Sequence, residues 1–293
     1  MTTASPRHIG PADRSRMRRA ARAEPRPSIG GRILGGFGEV LITLGVLGLL
    51  FVVWELWWTG IDADRDRREA TEEFYSQIQA AGEDLGDDGE VNGNGDESTF
   101  EACYTLEDGT EIGCSPSMRD LADGESTMAI LYAPRLGDNW AAPVRQGVEA
   151  TQLDRGGVGH YPTTQWPDEP GNFAVAGHRN TYASMLGNQD RLQPGDELYL
   201  QTAEGIYIYE VFESYVVQPH QREVLLPVPG DESQPEPDTG ILTLTTCHPL
   251  YSNAERLITH ARITDFEPTG GEIPAAIAHH IPGADAPQAS GER

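Results

Sequence analysis

Between Val40 and Trp58 the chain runs for nineteen mostly apolar residues interrupted by a single charge, Glu55. At 1.5 Å per residue a helix of that length covers about 28 Å, the thickness of a bilayer core. Trp54, Trp57 and Trp58 gather at one end, as an interfacial aromatic belt does. Residues 1 to 36 carry eight arginines against Asp13 and Glu24, which sets the N-terminus on the cytoplasmic side. A cleaved signal peptide is the alternative, but the run is long for one and no small-x-small cleavage site follows. The expectation is therefore one uncleaved membrane helix over 37–59, with whatever folds after it on the outside.

The remaining chain is acidic. The formal net charge is -25, and all 21 basic residues are arginine. Such a surface argues against nucleic-acid binding. Residues 1–36 read as a basic disordered tail. Residues 60–99 read as a charged juxtamembrane stalk (62–82, rich in helix formers) running into a Gly/Asp/Glu/Asn linker at 83–98. The acidic residues there do not match an EF-hand loop, and no His/Cys cluster has zinc-ligand spacing, so no metal and no cofactor is expected.

From residue 127 the pattern changes to short β-rich runs separated by turn residues. Strands are expected over 128–133 (stopped by Pro134), 143–148, 172–177, 197–202, 206–217, 241–247 and 256–266. A short helical turn is expected at 149–154 and another near 181–187. A glycine-rich loop carries His160 and Tyr161, and a long loop with five prolines fills 219–239. Seven or eight short strands with few helices describe an all-β closed barrel. Residues 268–293 are Pro-, Ala- and Gly-rich and read as a disordered tail.

Three of these strand ends carry chemistry. Gly240-Ile-Leu-Thr-Leu-Thr-Thr-Cys247-His-Pro249 is a buried strand ending on a cysteine, because Pro249 cannot extend a ladder. Ala176-Gly177-His178-Arg179 closes another strand on a histidine. Arg256 opens a third. A thiolate nucleophile needs a basic or cationic neighbour, and acyl transfer needs donors for the developing oxyanion. An unpaired cysteine alone is more often a small buried hydrophobe, a lone histidine a satisfied loop residue, and a rim arginine an ion-pair partner. The order matters too, since His178 precedes Cys247, the reverse of papain-like peptidases.

TLTTC with Arg256 nine residues on, preceded by AGHR, resembles the sortases, membrane-anchored cysteine transpeptidases of Gram-positive bacteria. The HPLYSNAERLI continuation and the GVGHYP segment look most like class E, the housekeeping type of actinobacteria. The resemblance spans Thr127 to Glu267. It implies an eight-stranded sortase-type barrel over 127–267 and a catalytic trio of Cys247 (nucleophile), His178 (general acid) and Arg256 (oxyanion or carbonyl donor). It also implies cleavage of a C-terminal sorting signal between Thr and Gly through a thioester, and transfer to a peptidoglycan-precursor amine at the outer face of the cell membrane. The substrates would be surface proteins bearing that signal. Thr246 could hydrogen-bond substrate backbone or be a plain strand residue, and Tyr161 lies in a loop that class E places near the groove. A class C pilin-polymerising enzyme is the rival within the family. No Asp-Pro-aromatic lid motif or C-terminal anchor supports it. A non-catalytic, membrane-tethered β-domain is the rival outside it.

Residues 100–126 fall outside the family pattern. Cys103 and Cys114 flank Glu107-Asp108-Gly109 nearly symmetrically, as the arms of a hairpin do. An oxidising exterior would join them in a disulfide and leave Cys247 as the free thiol.

Overall fold

In the computed structural model, described over residues 29–84, 100–231, 233 and 237–284, the β-rich runs close on themselves. Eight strands form a barrel in the order β10-β8-β7-β3-β4-β5-β6-β9. They are β3 (Ala129–Tyr132), β4 (Ala141–Gln146), β5 (Val158–His160), β6 (Gly171–Ala176), β7 (Glu197–Gln201), β8 (Gly205–Val217), β9 (Gly240–His248) and β10 (Glu255–Pro268). Most neighbours are antiparallel, whereas β4 with β5 and β6 with β9 run parallel. The short helix α3 (Ala150–Leu153) and several 3₁₀ turns cap the connections. Inward-facing Leu131, Val144, Phe173, Val175, Leu198, Leu200, Leu242, Leu244 and Ile263 form the core, all essentially dry. The alternation of a half-buried strand is lost in β6 and the first seven residues of β9, which are buried on both faces.

The chain divides into two compact units, Met1–Trp54 and Glu55–Arg293. The helix α1 (Ile29–Asp84) contributes to both. In the first unit, Leu34–Trp54 is long and apolar enough to cross a membrane, with a mean hydropathy of 2.2 and exposed side chains throughout.

In the second unit the structure departs from the sequence reading in three places. Residues 62–79 are not a solvated stalk. Ala63, Ala70, Phe74 and Tyr75 recur at helical spacing and are buried. The Tyr75 and Tyr132 hydroxyls meet each other, and both lie within hydrogen-bond distance of Gln201 Oε1, at 3.0 and 2.8 Å; their two protons are shared among the three oxygens. The surrounding charges hid this narrow stripe. The residues after 268 are not a disordered tail as far as Ala284. Ile277 is fully buried with Phe74, Tyr132 and Tyr199, so two isoleucines in a Pro/Ala-rich stretch suffice to seat it. Finally, the glycine-rich loop before Tyr161 contains a strand, β5. Its glycines serve close packing rather than flexibility, since a Cβ on Gly159 would meet the Gly147 carbonyl oxygen, and one on Gly157 the Pro143 carbonyl. The linker residues 85–99, the basic tail up to 28 and the residues from 285 lie outside the described part.

Strands β1 (Ala102–Thr105) and β2 (Glu111–Gly113) make a separate two-stranded sheet, with Cys103 and Cys114 bonded across it. The helix α2 (Pro116–Asp120) follows. Arg119 holds Asp168 with two charge-assisted bonds of 2.7 and 2.9 Å and Glu169 with a third, tying this insertion to the β5–β6 connection.

Candidate active site

Cys247 and Arg256 are direct partners in the antiparallel β9–β10 ladder. Opposite residues in such a pair project to the same face with Cβ atoms roughly 5 Å apart. The thiol and the guanidinium therefore share one end of the barrel. Pro249 sets that end, since β9 stops at His248. Arg256 is fixed by its own turn, its Nη1 donating to the carbonyls of Asn253 (3.0 Å) and Glu255 (2.8 Å).

The parallel partner of β9 delivers the histidine. Ala176 pairs with Thr245, and Gly177 N–H donates to Thr245 O. The Thr246 hydroxyl donates to Gly177 O at 2.7 Å. His178 is thus released from β6 at the level of Cys247. Its Nε2 lies 2.7 Å from Asp154 Oδ1, and the Tyr182 ring stands 5.1 Å from the imidazole. A carboxylate only accepts, so Nε2 carries the proton in this pair. Asp154 follows α3, the helical turn expected at 149–154. The sequence offered no reason to single it out, because it lies 24 residues from the histidine.

Arg179 also escaped notice. Its side chain is buried beneath the strand end and is only 5% exposed. Nη1 donates to His248 Nδ1 at 2.7 Å and to Cys247 O at 3.4 Å, while Nη2 stands 3.5 Å from Asp190. An arginine only donates, so His248 Nδ1 is the acceptor in this contact.

A groove of about 570 Å³ leads away from this end. Tyr161, Thr245, Arg256, Ile258 and Val224–Pro227 are among the residues that line it. The Tyr161 hydroxyl lies 3.1 Å from Thr245 Oγ1. Thr246 is 3% exposed and spends its hydroxyl on Gly177. Side chains alternate along a strand, so Thr245, not Thr246, faces the groove. His160 is a core residue, stacked on Phe173 and bonded to Gln146 and Thr164. Its burial pushes its pKa down to about 4.

A thiol, a carboxylate-braced imidazole and a guanidinium at one barrel end form a set competent for acyl transfer. Residues 131–264 match the sortase domain family. Sortase SrtE1 of Streptomyces coelicolor is 31% identical over 91% of this chain and 67% of its own length. Sortase SrtE2 of the same organism is 29% identical over 86% and 90% respectively. Among solved structures, sortase E from Streptomyces avermitilis is 37% identical, covering 52% of this chain and 96% of that one, with a TM-score of 0.46.

Proposed function

The chain belongs to the sortase family, with class E-like relatives, and on that premise we propose that it is a membrane-anchored cysteine transpeptidase that uses Cys247, His178 and Arg256. The observation that carries the reading is the register pairing of Cys247 with Arg256, itself a lining residue of the groove, with His178 following the end of β6, the parallel partner of β9.

The steps follow from the groups present. The Cys247 thiolate attacks the Thr carbonyl of a C-terminal Thr-Gly sorting signal lying in the groove. The Arg256 guanidinium donates to the oxygen that becomes anionic. His178, oriented by Asp154, protonates the leaving glycine amine as the C–N bond breaks. The chain is left as a thioester on Cys247. An amine of a peptidoglycan precursor then attacks, His178 accepts its proton, and the thiolate departs. Leu34–Trp54 holds the enzyme at the membrane with the arginine-rich terminus inside, so the barrel meets its substrates outside.

Class E resemblance and the Tyr161 hydroxyl at the groove support a preference for Leu-Ala-x-Thr-Gly over Leu-Pro-x-Thr-Gly. Proline fixes φ and lacks the N–H that the Tyr161 oxygen can accept. Parallel kinetics on the two peptides with an amine acceptor test the reading: turnover led by the alanine peptide is expected, and a clear preference for proline would reassign the class.

A further inference from the structure

The part of the groove lining formed by Val224–Pro227 belongs to the connection between β8 and β9, in which Glu223–Leu225 form a single 3₁₀ turn among the described residues. One side chain from the barrel reaches into it. Asn172, on β6, is completely buried. Its Nδ2 donates to Val224 O at 3.0 Å and to Leu226 O at 3.1 Å. Two carbonyls can only accept, so the amide orientation is settled. Asn172 Oδ1 in turn accepts from the Thr243 hydroxyl at 2.6 Å.

The next links are then forced. The single Thr243 proton is spent on Asn172, so Thr243 Oγ1 must accept from His260 Nδ1–H, 2.7 Å away. His260 Nε2 is left as an acceptor for the Tyr215 hydroxyl at 3.0 Å. Tyr215, His260, Thr243 and Asn172 donate in one direction, ending on the two wall carbonyls. Such chains polarise each other and hold one geometry. The neutral His260 this requires agrees with its burial, which lowers its pKa to about 4.

We propose that Asn172 is a positioning and specificity-determining residue, whose carboxamide, oriented by Thr243 and His260, sets the position of the Val224–Leu226 wall and so the fit of the peptide in the groove. Asn172 is not among the residues that line the groove and acts through the wall. The inference rests on the reading of the groove as the sorting-signal site.

The test uses the full chain in detergent. Asn172→Asp keeps the size and removes both donors. Thr243→Val keeps the shape and removes the hydroxyl that orients Asn172, and Thr243→Ser restores it. Two readouts are taken on each: steady-state kinetics with a sorting-signal peptide, and amide hydrogen exchange over 222–230. Losing hydrogen bonds to buried carbonyls predicts a rise in KM of about tenfold with kcat within about twofold. It also predicts exchange in 222–230 about tenfold faster, with the core strands unchanged. Thr243→Val should do the same more weakly and Thr243→Ser should recover. If Asn172→Asp does not fold, the Thr243 pair decides. Unchanged exchange in 222–230 would overturn the proposal, as would a fall in kcat and melting temperature with KM unmoved. A wild type that turns over no sorting-signal peptide would sink the functional reading instead, and hydrogen exchange would still decide the role of Asn172.

Discussion

Arg256 stands directly opposite Cys247 in the β9–β10 ladder, so backbone register puts the two residues on one face at one level, and the carbonyls of Asn253 and Glu255 hold the guanidinium. Arg256→Ala is therefore expected to lower kcat/KM by about 10²–10³-fold, the usual loss of one oxyanion donor. Arg256→Lys should recover only part, because a point charge on a flexible stem does not reproduce the planar fork. Peptide-cleavage kinetics with folding checked by circular dichroism measure this, and wild-type turnover in Arg256→Ala would remove Arg256 from the mechanism.

Asp154 braces the histidine. A hydrogen bond to a charged group is worth roughly 1.5–3 kcal/mol, so Asp154→Asn should cost about tenfold to a hundredfold in kcat, and His178→Ala roughly 10²–10⁴-fold. The double variant should be no worse than His178→Ala, because the carboxylate acts only through the imidazole. Additive losses would separate the two residues.

Acid should destabilise the fold through two buried histidines. Burial lowers His160 and His260 to about 4 each, against an unfolded value of about 6.5. Between those values the unfolded chain binds more protons, so the stability these groups confer is complete above about pH 6.5 and is lost as pH falls towards 4. Their combined effect is on the order of a few kcal/mol. Melting temperatures from pH 7 to 4.5 should fall steadily, and a flat profile would contradict the neutral assignment of both rings.

The Cys103–Cys114 bond closes the β1–β2 hairpin. A loop of that length is worth roughly 2–3 kcal/mol in the chain-entropy model. Counting thiols in unreduced, denatured protein secreted under oxidising conditions should find one, that of Cys247. Three would show the hairpin open.

Much of this site can be read from local chemistry. The β-rich runs on either side of Cys247, His178 and Arg256, and the prolines that stop them, are short-range signals, and the strands fall where those residues put them. What escaped depends on contacts between distant segments. Asp154 and Arg179 are ordinary residues until the barrel closes around them. The choice between Thr245 and Thr246 is a matter of strand phase, which one sequence of alternating threonines leaves open. The β5 glycines looked like a loop because close backbone packing and flexibility call for the same residue. On α1, charged neighbours masked the four-residue stripe of Ala63, Ala70, Phe74 and Tyr75 that seats the helix.

The central claim is that Cys247 carries the acyl chain. Mixing the full chain in detergent with an excess of sorting-signal peptide, quenching in acid and mapping by mass spectrometry tests it most directly. The account predicts an adduct on Cys247 equal in mass to the peptide up to its threonine, formed with release of the glycine-led fragment and discharged by an added amine. Peptide cleavage that persists in Cys247→Ala, or an adduct on any other residue, would contradict it.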